Sequence, residues 1–600
     1  MVKRLCETKQ RFKKLKVFGF DIETYDNNKK LYCWSLVGDV TTNAPVQGFS
    51  KESFREEIKK HKYRNSKIIA TNLAFDFFGI FFNSNEIQSF RTLFRGSSLI
   101  GAVSYIDQSD NEFYSKAKKG RNKIEFLDSM NFAPFGVAKL GEIMGLPKLK
   151  SPKCLGRLPK NKEERDEINI YNIRDSEITQ KFMVFFFASL VELGGNVKTT
   201  IASSSMSLFR TKYLKETYYL HSEEDLLFEF ESYYGGRTEV FERGTFFKLL
   251  YHDFNSLYPS VMEANKFPHP NFLRKNKTNS LDYIKNYEGC AEVVVSCPLD
   301  LHIPLLPYRE KSGKVIFPVG KFKGVYTNVE LRKALELGYT IHNVSRNFYF
   351  TKTCRPFKEF VNDLYNLRKK YKSMKNPLQV VIKLIMNSLY GKFGQKFIDR
   401  DNYIPQSTLT KKEVMQYAKI EFNGEFARVS GRCAPSLFCI PIWASYVTAY
   451  GRLKLYEVLS NPNVTPKYCD TDSVICSEFV EDSKELGKLE IELRIKEAIF
   501  VRPKFYGLVT EDFDVVKIKG LGTKIKYNDF VSQLNKGKVT KDYYKFVKFK
   551  EALRRGFTPN EIISITKSFE LNDTKRIWEG GFNPNIQQTS KPLILTLNEN

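Results

Sequence analysis

Asp470 and Asp472, in Tyr468-Cys469-Asp470-Thr471-Asp472-Ser473, have the spacing that puts two carboxylates on one face of a strand or tight hairpin. A further acid, Asp253, ends the β-prone run Leu249-Leu250-Tyr251-His252 far upstream. Between them, Lys383-Leu384-Ile385-Met386-Asn387-Ser388-Leu389-Tyr390-Gly391 spaces Lys383, Asn387 and Tyr390 at four and seven, which is one face of a helix. Each piece alone has a bland meaning: Asp-x-Asp commonly marks a solvated turn, and the lysine segment fits an amphipathic helix with Leu384 and Tyr390 in a core. Together they are the parts of a nucleotidyl-transfer site. That chemistry uses two divalent ions about 3.5–4 Å apart, held by carboxylates. Lys383 would be a point charge on phosphates, and Tyr390 with Gly391 a flat wall for a nascent base pair. Tyr258, five residues after Asp253, lies where a ring would stack under a sugar and exclude a 2′-hydroxyl.

A second set of acids precedes these. Asp21-Ile22-Glu23-Thr24 places two carboxylates on one face of a strand, Asp76 closes Asn72-Leu73-Ala74-Phe75-Asp76, and Tyr171 and Asp175 fall four apart on a helical pattern. Asp-x-Glu and Tyr-x3-Asp are common in ordinary strands and helices. Gathered on one face, Asp21, Glu23, Asp76 and Asp175 would make another two-metal site, with Tyr171 orienting an attacking water.

The elements that must position these groups are partly legible. Residues 17–22 and 68–72 read as strands and Glu163 to Leu193 as a helix, so roughly the first 190 residues form an α/β unit. Strands are expected at 292–295 and 314–317, a helix at 328–337, and a polar insertion over Gln395 to Arg432. The end, from about Asn528, is expected to be basic and largely helical, broken at Gly580-Gly581. The apolar stretch 182–191 is too short to span a membrane and reads as a buried helix.

With 600 residues, 42% apolar and 14% aromatic, the chain can bury several cores. Lys and Arg outnumber Asp and Glu by 95 to 68, a formal charge of +27 that favours a polyanionic partner such as nucleic acid. Ten cysteines without a CxxC pair argue against zinc and a disulfide framework, and point to a reducing intracellular compartment. No signal-peptide core or membrane-length apolar run occurs, so a soluble protein is expected.

The segments around Asp253, Lys383 and Asp470 resemble motifs A, B and C of family B DNA polymerases (DxxSLYPS, KxxxNSxYG, YxDTDS), in the family's order. The acids at 21–23, 76 and 175 resemble that family's ExoI, ExoII and ExoIII motifs of a 3′–5′ proofreading exonuclease. The resemblance implies Asp253, Asp472 and the Phe254 carbonyl as polymerase metal ligands, with Asp470 as a supporting carboxylate. It implies Asp21, Glu23 and Asp175 as nuclease metal ligands, and Thr24, Asn72 and Phe75 as holders of a frayed primer end. Tyr233-Tyr234-Gly235-Gly236, Thr448 to Arg452 and Lys504-Phe505-Tyr506 resemble the YxGG, Tx2GR and KxY motifs of the protein-primed branch, which replicates small linear viral and plasmid genomes. That branch implies DNA contacts by Tyr233, Gly235, Gly236, Thr448, Arg452, Lys504 and Tyr506. Ser129-Met130 stands in for a Ser-Leu single-strand motif, the nuclease lysine falls among Lys148, Lys150 and Lys153, and Gln379 replaces a basic residue, leaving Arg368 or Lys372 for the triphosphate.

The implied architecture is α/β and α+β multidomain: an RNase H-like exonuclease (1–195), then a right-hand polymerase. Its parts are palm (196–300 and 433–527), a first insertion (301–355) for the priming protein, fingers (356–395), a second insertion (396–432) for processivity and strand displacement, and a thumb (528–600). Implied cofactors are Mg²⁺, two ions per site, with Mn²⁺ as substitute. Implied partners of this monomer are primer-template DNA, dNTPs and a separate terminal protein, since the 20 residues before Asp21 are too few to hold a priming domain. The expected setting is host cytoplasm for a phage enzyme or an organelle for a linear plasmid. The rivals are a family B polymerase using a nucleic-acid primer and a non-catalytic DNA-binding protein.

Overall fold

The structure is a computed structural model that describes residues 3–11, 15–39, 44–396, 401–409, 414, 419–430, 436, 438–521 and 524–597. In the first unit, the β-branched and aromatic run Lys16–Tyr25 lies at the centre of a sheet ordered 46–48, 30–37, 16–25, 66–70, 121–128, 98–107, 91–95. Lys16–Tyr25 runs parallel to Ser66–Ala70, which runs parallel to Arg121–Asp128. The long helix Lys162–Glu192, started by the Asn161 side chain capping Glu164 N–H, packs across this sheet. Contact is close because Gly19 has no side chain: a Cβ there would collide with the Ser176 carbonyl. That approach brings the Asp21 end of the strand to the Asn172–Asp175 turn of the helix.

The polymerase half is built on an antiparallel sheet ordered 238–240, 468–470, 473–476, 242–254, 489–502, 505–509, 514–518. Its neighbours come from distant parts of the chain, with Asp253 in register with Ser473 on one side and Glu490 on the other. Buried helix Pro441–Leu459 and helices Lys358–Ser373 and Leu378–Ser388 share one apolar core with this region. A second sheet, 273–276, 340–350, 288–297, 319–327, carries helix Asn328–Glu336 and takes Ile594–Leu595 as a parallel edge. This sheet begins at Leu273, upstream of the 301 border expected for the first insertion. The segment expected as the second insertion contributes a three-stranded sheet of Asp401–Pro405, Phe426–Ser430 and Lys419–Asn423; residues 397–400, 410–413, 415–418 and 431–435 lie outside the described ones.

Two expectations about elements fail. The end of the chain is mixed rather than largely helical: helices Tyr527–Asn535 and Phe549–Arg555 flank a hairpin of Val539–Phe546 with Ile562–Phe569, followed by short strands. Val539, Thr540, Tyr543, Tyr544 and Phe546 are β-branched or aromatic, and this strand preference outweighs the segment's helix formers. The 314–317 strand shrinks to Val315–Ile316, paired with Tyr308–Arg309. Helix Phe549–Arg555 joins the core of the first unit, with Phe549 stacked on Phe78 at 4.2 Å and edge-on to Tyr403 at 5.2 Å. No described helix is long and apolar enough to cross a membrane.

Candidate active sites

In the polymerase half, Tyr468–Asp470 and Ser473–Cys476 form a hairpin whose two-residue turn is Thr471-Asp472. Thr471 adopts a left-handed φ of 66°, and its N–H donates to the Arg237 carbonyl at 2.6 Å. Asp472 is tied through its backbone, which accepts from Phe254 N–H at 2.8 Å and donates to the Asp470 carbonyl at 2.7 Å. The strand end bearing Asp253 is therefore fastened to the turn bearing Asp472. Burial and the facing Asp472 push the Asp253 carboxyl up to about 7, against the pull of Lys383. Burial and Asp470 push Asp472 up to about 6.

Asp470 is differently placed. Lys504 Nζ donates to both its carboxylate oxygens, at 2.8 and 2.6 Å, and Thr238 hydroxyl donates to Oδ1 at 2.9 Å. Its charge is answered by Lys504, while those of Asp253 and Asp472 face one another. Tyr506 is buried, its ring 5.1 Å from Tyr468 under the hairpin, and so supports Lys504 rather than offering a surface. Lys383 and Asn387 are exposed one helical turn apart, but the expected single face stops there: the helix ends at Ser388, and Tyr390 starts a separate turn, Tyr390–Phe393. Tyr390 packs instead on Tyr258, ring centroids 4.7 Å apart, with Gly391 exposed beside it. Tyr258 lies flat on Gly451, where a Cβ would come within 3.1 Å of its ring. Arg368 donates to Ser256 Oγ at 3.3 Å, next to Asp253, and its Nε is buried without a partner, whereas Lys372 is exposed at the helix end. Arg368 is the better placed of the two.

Gly236 sits under the hairpin turn, where a Cβ would lie 2.7 Å from the Thr471 methyl. The Tyr233 ring likewise fills the space that a side chain at Gly394 would need. Gly235 has open space around it. Thr448 and Arg452, expected at DNA, are both buried. Thr448 hydroxyl bonds the Ala444 and Ser445 carbonyls of its own helix. Arg452 forks onto Glu330 at 3.0 and 2.7 Å and donates to the Tyr234 and Gly235 carbonyls, both at 2.8 Å. It is an internal tie and presents no guanidinium to a phosphate.

In the first unit, Asn172 donates to Asp21 Oδ2 at 2.8 Å, and Ile22 N–H donates to Asp76 Oδ1 at 3.1 Å, which fixes Asp76 beside the two acids of the strand. Burial first, then mutual repulsion, raises the carboxyls of Asp21, Glu23 and Asp76; burial also raises Asp175. Lys148 is ion-paired to Asp175 and lies 4.5 Å from the Tyr171 ring centroid. Of the three candidate lysines, this is the one at the acids; spacing alone held no signal for it. Asn72 is exposed and left-handed at φ 72°, held because its N–H donates to the Asp128 side chain at 3.1 Å. Thr24 bonds Asn28, and Phe75 meets Phe546 of the C-terminal hairpin edge-on at 5.6 Å. Ser129, expected at single-stranded DNA, is fully buried with its hydroxyl on Thr71; Met130 is the exposed neighbour.

Among the described residues, no three His, Cys, Asp or Glu side chains already enclose a point where an ion would sit. The donors nevertheless fit a hard divalent cation: in one site Asp472 raises the half-buried Asp253, and in the other buried Asp76 and Asp175 join half-buried Asp21 and Glu23, with Asp175 Oδ1 buried and without a hydrogen bond. Two carboxylates escaped sequence reasoning. Glu490 faces Asp253 in register, and Glu492, two residues on, is close enough to raise both Asp253 and Asp472. The alternation Leu489-Glu490-Ile491-Glu492 was the available signal.

Residues 156–427 match the family model described as DNA polymerase type B, organellar and viral. A probable DNA polymerase of Neurospora intermedia is 27% identical over 516 residues, covering 78% of this chain and 51% of its own length. One of Ascobolus immersus is 30% identical over 361 residues, 55% of this chain and 29% of that protein. The chain thus spans about half or less of these relatives. Phi29 DNA polymerase complexed with primer-template DNA shares the fold over 93% of this chain and 100% of that one, at a TM-score of 0.72 and 18% identity. The motif segments and the matched stretch, residues 156–427, resemble the type B DNA polymerases of the organellar and viral kind, and the chain shares the fold of the phi29 enzyme.

Proposed function

We propose that the chain is a DNA-directed DNA polymerase with a 3′–5′ proofreading exonuclease, replicating a linear viral or plasmid genome from a protein primer. The observation that carries the reading is the fastening of Asp253 to the Asp472 turn, which brings two half-buried carboxylates together beside exposed Lys383. Asp253, Asp472 and the Phe254 carbonyl would hold the divalent ions. When bound, these ions make the primer hydroxyl a better nucleophile and neutralise the leaving pyrophosphate. The protein's own part is positioning and charge. Lys383 and Arg368 meet the triphosphate, the Tyr258–Tyr390 pair walls the sugar and base, and Lys504 neutralises Asp470. In the nuclease unit Asp21, Glu23 and Asp175 would hold ions, while Tyr171, braced by Lys148, orients water toward the terminal phosphodiester.

Primer extension with Mg²⁺ or Mn²⁺ tests this reading. Asp472→Ala should abolish extension and spare digestion of single-stranded DNA; Asp21→Ala with Glu23→Ala should do the reverse. Full extension by Asp472→Ala would refute the site. Protein priming predicts a covalent nucleotide adduct on a partner protein from the same replicon; extension only from nucleic-acid primers would refute that part.

A further inference from the structure

Three charged side chains lie buried beside the Asp470–Asp472 turn, and nothing in the proposed chemistry uses them. Arg237, Glu239 and Arg576 are each 2% exposed or less. Burying two guanidiniums and a carboxylate is costly unless geometry and hydrogen bonds compensate, so such a group persists where it fixes a conformation. Arg237 binds Glu239 at 2.6 Å and the Pro304 carbonyl at 2.7 Å. Arg576 comes from the C-terminal segment, about 340 residues later in the chain. It forms an ion pair with the other Glu239 oxygen at 3.6 Å, donates to Ser590 Oγ at 2.6 Å, and donates to the His302 carbonyl at 2.8 Å.

The strand that carries this cluster, Thr238–Val240, is the edge partner of the Asp470 strand, with Thr238 opposite Asp470 and Glu239 opposite Cys469. Two bonds run from it to the turn, and a third reaches it from the C-terminal segment. The Arg237 carbonyl holds the N–H of left-handed Thr471 at 2.6 Å. Thr238 hydroxyl donates to Asp470 at 2.9 Å, and Lys575, next to Arg576, donates to the Thr238 carbonyl at 3.0 Å. The edge strand is thus gripped from below by Arg576 and Lys575 and grips the turn from above.

We infer that Arg576 and Lys575 of the C-terminal segment are positioning residues for the polymerase site, setting the Thr471-Asp472 turn through Arg237, Thr238 and Glu239. They touch neither substrate nor reacting atoms. The inference rests on the polymerase reading. The acids of the proposed nuclease site lie elsewhere, Asp21 and Glu23 in another sheet and Asp76 and Asp175 on helices packed against it, and serve as a control within the same molecule.

The test uses the full chain as wild type, Arg576→Met, Arg576→Lys and Lys575→Met. Each is assayed for primer extension, for single-stranded DNA digestion, and for amide exchange in peptides covering 466–476 without added metal. Displacing a reacting geometry by about 1 Å costs on the order of 100-fold. Arg576→Met should lower the extension rate about 10- to 100-fold with little change in dNTP KM, leave digestion within about 2-fold, and speed exchange at 466–476. Arg576→Lys should recover part of both signals, and Lys575→Met should give a milder version. Normal extension and exchange in Arg576→Met would overturn the inference, as would equal loss of both activities in every variant, which would mark a general stabilising role. A wild type that never extends a primer would instead refute the polymerase reading, and the exchange data would then decide the link to the turn by themselves.

Discussion

Arg452→Met distinguishes a DNA contact from an internal tie. In the wild type the guanidinium makes two bonds to Glu330 Oε1 and one to each of two carbonyls in the 233–236 loop, with both side chains of the pair almost fully buried. Methionine fills much of the same volume but leaves Glu330 with the Thr327 hydroxyl, at 2.7 Å, as its remaining side-chain partner. Stranding one member of a buried ion pair costs about 3–5 kcal/mol. For a cooperative unit of about 400 residues, such as 196–600, 1 kcal/mol moves Tm by about 1 °C. Melting of this part of the chain should therefore fall by roughly 4–6 °C. Adding Glu330→Leu removes the stranded charge, so the double variant should regain most of the loss, with a coupling energy of about 2–3 kcal/mol. The assay is calorimetry of the four corners of the cycle beside DNA binding across a salt series. The reasoning is refuted if Arg452→Met melts like wild type while its log K against log[salt] slope shrinks by about 0.9, the mark of one lost phosphate contact.

Two further outcomes follow from the nuclease unit. Asn560, at φ 69°, donates its side-chain amide to the Phe75 carbonyl at 2.6 Å and so docks the C-terminal hairpin beside the nuclease acids. Asn560→Gly should lose about 1 kcal/mol of docking, read by amide exchange over 539–569, and Asn560→Ala a further 1–2 kcal/mol because alanine resists that φ; equal effects would show that backbone conformation plays no part. Burial and the neighbouring Asp175 push the native Asp21 carboxyl up to about 8, from an ordinary value of 3.8. Between those two values the native state keeps a proton that the unfolded chain has released, so stability in EDTA should fall as pH rises from 5 to 8. Asp21→Asn should flatten that slope, and an unchanged slope would place the titration elsewhere.

The acids of both sites were legible because each lies in a short motif whose period says which face it occupies. Asp21 and Glu23 alternate on a strand, and Tyr171 and Asp175 stack on a helix. What escaped depends on contacts between segments far apart in sequence. Nothing in the order of residues distinguishes Lys148 from Lys150 or Lys153 until the loop before the helix is folded against Asp175. Arg452 and Ser129 were misread for a related reason: a four-residue pattern names a residue type but is silent on whether it points to solvent or to Glu330 and Thr71. The C-terminal hairpin was lost to charge, since Lys541 and Lys545 hide a strand preference that Tyr543, Tyr544 and Phe546 only partly reveal.

The pairing of Asp253 with Ser473 also has a consequence for biosynthesis. At about 5–20 residues per second, a ribosome needs roughly 10–45 s to travel from one to the other. The strands and long helix of the nuclease unit, by contrast, are all complete by Glu192. For that interval the 242–254 strand has both edges open on a chain whose first domain is already folded, the condition under which strands find wrong partners. Truncated or stalled products ending between 254 and 470 would thus carry a first unit whose sheet and long helix are complete, attached to an aggregation-prone remainder, a hazard set by topology alone.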